Sequence, residues 1–134
     1  MKKVVVWGKF DVLHEGHLEF LRNAKLLGDE LYVVVIPDYA VKQNSQKMPK
    51  RTAIQRKEEL MKLYFIKEVY IDSLDDGLLS IIKLKPDIFI FGHDQKTIWE
   101  DKLKQYLALK NIKCEYLHLG VYNDGLHLQD FKER

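Results

Sequence analysis

The sequence holds a single cysteine, Cys114, so no disulfide can close within the chain and a small scaffold stapled by disulfides is excluded. Cys114 lies in an apolar stretch with no histidine or hydroxyl pattern beside it to activate a thiolate. It reads as a small buried hydrophobe rather than a nucleophile. Long hydrophobic runs are missing too. Met1-Lys2-Lys3-Val4-Val5-Val6-Trp7-Gly8 starts like a signal peptide but its apolar run is far too short for one, and no stretch approaches the roughly 20 apolar residues that a spanning helix needs. The expectation is a cytoplasmic protein with no membrane partner. An excess of one charge is also lacking. The 22 basic and 20 acidic residues leave a net charge of +2, which argues against a general binder of nucleic acid or membrane surfaces. There is no internal repeat, low-complexity tract or linker. What remains is 134 residues, 46 % apolar and 31 % charged, enough for one folded domain over 1–134 with a real core.

Short apolar strands alternate with amphipathic helices. Val4 to Trp7 reads as a buried strand. Leu18, Leu21, Ala24 and Leu27 recur at helical spacing, with Gly28 as the stop. Leu31 to Ile36 is a second strand, ended by Pro37. Residues 38–50 are polar and carry Lys42, Lys47 and Lys50. Ile54, Leu60, Met61 and Leu63 mark a helix, and Val69 to Ile71 a short strand. Leu78, Leu79 and Ile82 mark another helix, ended before Pro86, and Ile88 to Phe91 a further strand. Ile98 to Leu109 reads as a helix and Ile112 to Leu119 as the last strand; the final fifteen residues show no period. Uniformly apolar strands separated by helices imply a parallel sheet covered on both faces. The expected class is α/β, a single Rossmann-like, doubly wound parallel sheet with helices on both faces. Ligands in such folds bind beyond the carboxyl ends of the strands. The polar segments fall there: Gly8 to His17, Lys42 to Lys50, and Gly92 to Gln95.

Gly8-Lys9-Phe10-Asp11-Val12-Leu13-His14-Glu15-Gly16-His17 joins the first strand to a helix that begins near Glu15 or Gly16. Gly8 allows a close backbone approach or a sharp turn. The unpaired N–H groups and dipole of the helix start attract phosphate. His14 and His17, three apart, can share one face there and donate to phosphate oxygens. Asp11 is suited to orienting a side chain or backbone amide. The bland alternative, two surface or core histidines, carries less weight for a pair with two glycines on a strand-to-helix loop. A zinc site would want a third ligand, and none is evident nearby.

This loop resembles the G-T-F-D-x-x-H-x-G-H signature of the cytidylyltransferase-like nucleotidyltransferases. The resemblance covers nearly the whole chain. Gly28-Asp29-Glu30-Leu31 is similar to the family's entry to the second strand. Arg51 to Arg56, followed by Ile66-Lys67-Glu68-Val69, is similar to its R…V-D-E-V segment, and Pro86 to Gln95 to its P-D-x-x-x-x-G-x-D segment. The resemblance implies transfer of AMP or CMP from a nucleoside triphosphate to a small phosphorylated or hydroxylated acceptor, with release of pyrophosphate. It places His14 and His17 on the triphosphate, and Lys42 or else Lys47 on the acceptor or the β/γ-phosphates. Solubility charge is an equal rival for either lysine. It points Arg56 at the triphosphate, against the rival of an exposed helix charge; Arg51 is a weaker candidate. Gly8, Lys9, Phe10, Asp11 and Gly16 would line the nucleotide site, and Gly92, His93, Asp94 and Gln95 would close it. Asp94 can accept from base or sugar, or cap a helix. A divalent metal, Mg²⁺ held mainly through the phosphates, would share the charge. Trp7 and Trp99 are left unassigned. Dimers are common in such families, so a homodimer is admitted.

Two departures stand out. Lys9 replaces the signature threonine. Gly125-Leu126-His127-Leu128-Gln129 stands where many members carry G-I-S-T/S-T/S, so phosphate-binding hydroxyls are absent there, and His127 is a substitute contact or an exposed histidine. A nucleotide-binding protein without catalysis therefore stays open beside the enzyme. The Gly-x-Asp-Gln form of residues 92–95 leans towards FMN adenylyltransferases of archaeal type. Glycerol-phosphate cytidylyltransferases and adenylyltransferases of sugar-phosphate or lipopolysaccharide-core type are the alternatives.

Overall fold

A computed structural model of the chain describes residues 1–11, 13–39, 50–72, 78–91, 97–118 and 132–133. In chain order the elements are β1 (Lys3–Gly8), α1 (Glu15–Lys25), β2 (Glu30–Val35), α2 (Ala53–Met61), β3 (Glu68–Ile71), α3 (Leu79–Leu84), β4 (Ile88–Phe91), α4 (Thr97–Leu109), β5 (Glu115–His118) and β6 (Lys132–Glu133). The sheet runs β3-β2-β1-β4-β5-β6. The first five strands are parallel, with Val4 beside Leu31 on one side and Ile88 on the other. The order reverses between β1 and β4, which puts the crevice of a doubly wound sheet beyond their carboxyl ends.

Side chains alternate across each strand, so one apolar run feeds two cores. Val4, Val6, Leu31, Val33, Val35 and Ile90 pack under Phe20, Leu21 and Ala24 of α1 and Leu60 of α2. Val5, Trp7, Val34, Phe89 and Phe91 pack under Ile81 of α3 and Leu103 and Leu107 of α4. Each fully buried large apolar side chain contributes about 1.5–3 kcal/mol. This is the expected α/β architecture, with Trp7 as a core residue.

Three local expectations change. The last strand starts at Glu115 rather than Ile112. Asn111 turns the chain in the left-handed region (φ 61°), and the Ile112 amide bonds back to Leu107. Ile112 therefore ends α4 and buries its side chain without being in a strand. Residues 132–133, in the segment without sequence period, form a short antiparallel edge beside β5. On α2 the buried face is Ala53, Arg56 and Leu60, whereas Ile54 and Met61 are exposed. An arginine stands where the helix meets the sheet. Among the described residues no helix is long and apolar enough to cross a membrane.

Candidate active site

The loop after β1 is shaped by packing before it meets any ligand. Phe10 adopts φ 50°, a strained conformation for a bulky residue, and its ring is buried against Phe20 and edge-on to His17. Gly8 makes this arrangement possible, since a Cβ there would lie 2.9 Å from Phe10 Cε2. The packing of Phe10 is by itself enough to require glycine at position 8. The Phe10 ring likewise supports the site from beneath and is not exposed for stacking.

His14 is the N-cap of α1, in extended conformation, and its Nδ1 accepts from the Gly16 amide at 3.0 Å. His17, one turn on, accepts from the His14 amide through its own Nδ1 at 3.3 Å. The two imidazoles thus form a reciprocal cap of the kind Ser and Glu usually make. Their rings face each other at 3.9 Å between centroids. A nitrogen that accepts a hydrogen bond carries no proton, so the N–H of each neutral ring is on Nε2. His17 is buried by Phe10 and the helix, whereas His14 is exposed. The loop thus brings both imidazoles, the Gly16 backbone and the positive end of α1 together at the carboxyl end of β1.

Asp11 binds backbone. Its two oxygens accept from the Lys50 and Arg51 amides at 2.8 and 2.9 Å. Burial works to raise its pKa, but those two bonds and the nearby charges of Lys9 and Arg56 outweigh it and hold the carboxyl below the ordinary aspartate range. The Lys9 side chain is exposed beside it.

Arg56 is not the exposed helix charge of the rival reading. It is fully buried. Nη1 donates to the Lys9 carbonyl at 2.8 Å, Nη2 to Asp38 Oδ1 at 2.6 Å, and Nε to the Arg51 carbonyl at 3.1 Å. Asp38 is absent from the sequence-based candidates. Its signal was its place just past β2, after Pro37, at the carboxyl edge where polar residues gather. Arg51 itself is exposed and pairs with Glu59 at 3.2 Å.

At the carboxyl end of β5, His118 Nε2 lies 2.6 Å from Glu100 Oε1, and Lys104 Nζ lies 2.8 Å from the other oxygen. The His118 ring stacks on Phe91, the last residue of β4. This buried carboxylate was also missed, because its partner is eighteen residues away in sequence. Lys42, Lys47, Gly92, His93, Asp94, Gln95 and His127 lie outside the described residues. Among the described residues no three His, Cys, Asp or Glu converge as a metal site. Burial pushes the Cys114 thiol pKa up, against a thiolate.

A parallel sheet with a capped histidine pair at its switch point defines a nucleotide-handling domain of Rossmann type. The cytidylyltransferase-like family model matches residues 5–130. The FAD synthase of Archaeoglobus fulgidus is 38 % identical over 117 residues, 87 % of this chain and 83 % of its own. That of Pyrococcus horikoshii is 40 % identical over 118 residues, 87 % of this chain and 79 % of its own. A crystal structure of the lipopolysaccharide core biosynthesis protein from Thermoplasma volcanium GSS1 is similar with a TM-score of 0.80 at 32 % identity, covering 92 % of this chain and 99 % of that one. The chain belongs to the cytidylyltransferase-like family and is a nucleotidyltransferase.

Proposed function

We propose that this nucleotidyltransferase is an FMN adenylyltransferase, an FAD synthase, moving AMP from ATP to FMN. The observation that carries the reading is the His14–His17 pair, with both Nδ1 atoms held by backbone amides at the N-cap and first turn of α1, on a chain similar along most of its length to archaeal FAD synthases. An oxygen of the FMN phosphate attacks the α-phosphorus and forms the new P–O bond. The bond to the β-phosphate oxygen breaks, and pyrophosphate leaves with that electron pair. No side-chain nucleophile takes part. Catalysis is alignment plus neutralisation of charge on the phosphate oxygens. His14 and His17 supply Nε2–H donors, with Gly16 and the start of α1 beside them. Lys9 adds a cation where the family signature has a hydroxyl. Lys42 or Lys47 would hold the acceptor or β/γ-phosphates, and Gly92 to Gln95 the base and ribose. Among the described residues the Asp11 carboxylate is engaged with backbone amides, so a divalent cation fits there as one carried in on the triphosphate. Mg²⁺ bound in that way would share the phosphate charge.

The test is pyrophosphate release with Mg²⁺ and each of ATP and CTP, against FMN, glycerol 3-phosphate and a sugar 1-phosphate. The expected outcome is release with ATP and FMN, matched by FAD. Turnover only with a sugar phosphate would favour the second reading, which the likeness to the lipopolysaccharide core biosynthesis protein supports. Nucleotide binding with no release from any pair would overturn the enzyme reading across that panel.

A further inference from the structure

We propose that Arg56 is a positioning residue that touches no substrate, and that Asp38 is its partner in locking the histidine-bearing loop against the entry to α2. The guanidinium is enclosed and binds three separate segments: the Lys9 carbonyl in the loop after β1, the Asp38 carboxylate after β2, and the Arg51 carbonyl before α2. Asp11 closes the same junction from the other side by accepting from the Lys50 and Arg51 amides. Each residue of the turn is therefore gripped in its own way. Lys9 is held by its carbonyl, Phe10 by its buried ring and Asp11 by its carboxylate. Phe10 is the step to the chemistry, because its ring lies against His17. His17 in turn holds the His14 amide.

Only an arginine can do this. Its planar fork sends N–H groups along several fixed directions at once, whereas an ammonium is a point charge on a flexible stem. A buried cation also requires an anion and filled hydrogen bonds, and Asp38 with the two carbonyls provides both. The geometry leaves the triphosphate to His14 and His17 and gives Arg56 the task of keeping those two in place. A misplacement of about 1 Å at a reacting group can cost on the order of a hundredfold in rate.

The kinetic arm of the test rests on the transfer activity proposed above; the spectroscopic arm does not. Arg56→Lys, Arg56→Met and Asp38→Asn are compared with wild type, and thermal melting selects the variants that fold. Asp38→Asn, at a partly exposed position, keeps the test open if both Arg56 variants fail to fold. In nucleotide-free protein, the imidazole ¹⁵N resonances of His14 and His17 should shift in every folded variant. In the transfer assay, kcat should fall about tenfold to a hundredfold while the KM for ATP stays within about threefold. Arg56→Lys should rescue nothing, and Arg56→Met with Asp38→Asn should be no worse than the poorer single variant. Unshifted histidine resonances, or a KM for ATP raised more than about tenfold and restored by Arg56→Lys, would overturn the proposal and put Arg56 on the phosphates.

Discussion

Phe10 fills the space that a side chain on Gly8 would need: a Cβ at position 8 would lie 2.9 Å from the ring. Gly8→Ala must therefore move a buried ring that also supports His17. The expected cost is about 1–3 kcal/mol, the usual range for overpacking a core. Phe10→Leu in the same chain should recover part of that loss by making room. Urea unfolding of the two single variants and the double variant measures both effects. Equal midpoints for wild type and Gly8→Ala would contradict the steric account.

His17 combines a cap with a donor, and two substitutions separate them. In His17→Asn the side-chain oxygen can stand in for Nδ1 and accept from the His14 amide, but nothing replaces the Nε2–H. Stability should stay within about 1 kcal/mol of wild type, while kcat falls by about two orders of magnitude or more. His17→Ala should lose rate to a similar extent and stability as well. Steady-state kinetics beside thermal melts distinguish the two, and wild-type turnover in His17→Asn would remove the ring from its assigned role.

Glu100 sets an acid limit on stability. Burial works to raise its pKa, but the bonds from Lys104 and His118 outweigh it and hold the carboxyl below the ordinary glutamate value of 4.5. A folded-state pKa lower than the unfolded one gives stability that is present above the unfolded value and lost as pH falls through the folded one. Glu100→Gln should thus be less stable than wild type at pH 7, by about 1–3 kcal/mol for lost charged hydrogen bonds. That gap should close as pH is lowered below 4.5. Denaturation midpoints from pH 7 to pH 3 test it; a gap independent of pH would show that the carboxylate charge is not its source.

If the divalent cation arrives on the triphosphate, Mg²⁺ alone should leave the melting temperature nearly unchanged, and Mg²⁺ with ATP should raise it by ligand linkage. A chelator should abolish turnover, and Asp11→Asn should lower kcat without changing the Mg²⁺ concentration for half-maximal rate. Stabilisation by Mg²⁺ alone would point instead to a cation site made by the protein.

The alternation of strand and helix was legible because the central strands β1, β2 and β4 are buried on both faces and so are almost wholly apolar. Val4 to Trp7 and Ile88 to Phe91 need no partner information to be recognised. The first loop was legible because His14, Gly16 and His17 act within a single turn, where sequence spacing is spatial spacing. The failures share one cause. Ile112 looked like the start of a strand because it is apolar, and only the left-handed turn at Asn111 shows that it completes α4. The exposed placement kept as a rival for Arg56 rested on its charge alone, whereas Ala53 and Leu60 on either side place it on the inner face of α2.

By itself, the amino-acid sequence determined the α/β class, the approximate element order and the loop that carries the histidine pair, since each depends on local pattern. The tertiary structure alone decided what Arg56, Asp38, Glu100 and His118 do. Arg56 meets Lys9 across forty-seven residues and Asp38 across eighteen, and two of its three acceptors are backbone carbonyls. Every residue carries such a carbonyl, so no residue type announces it. Only the packing of α2 over the carboxyl edge of the sheet brings that arginine to those oxygens.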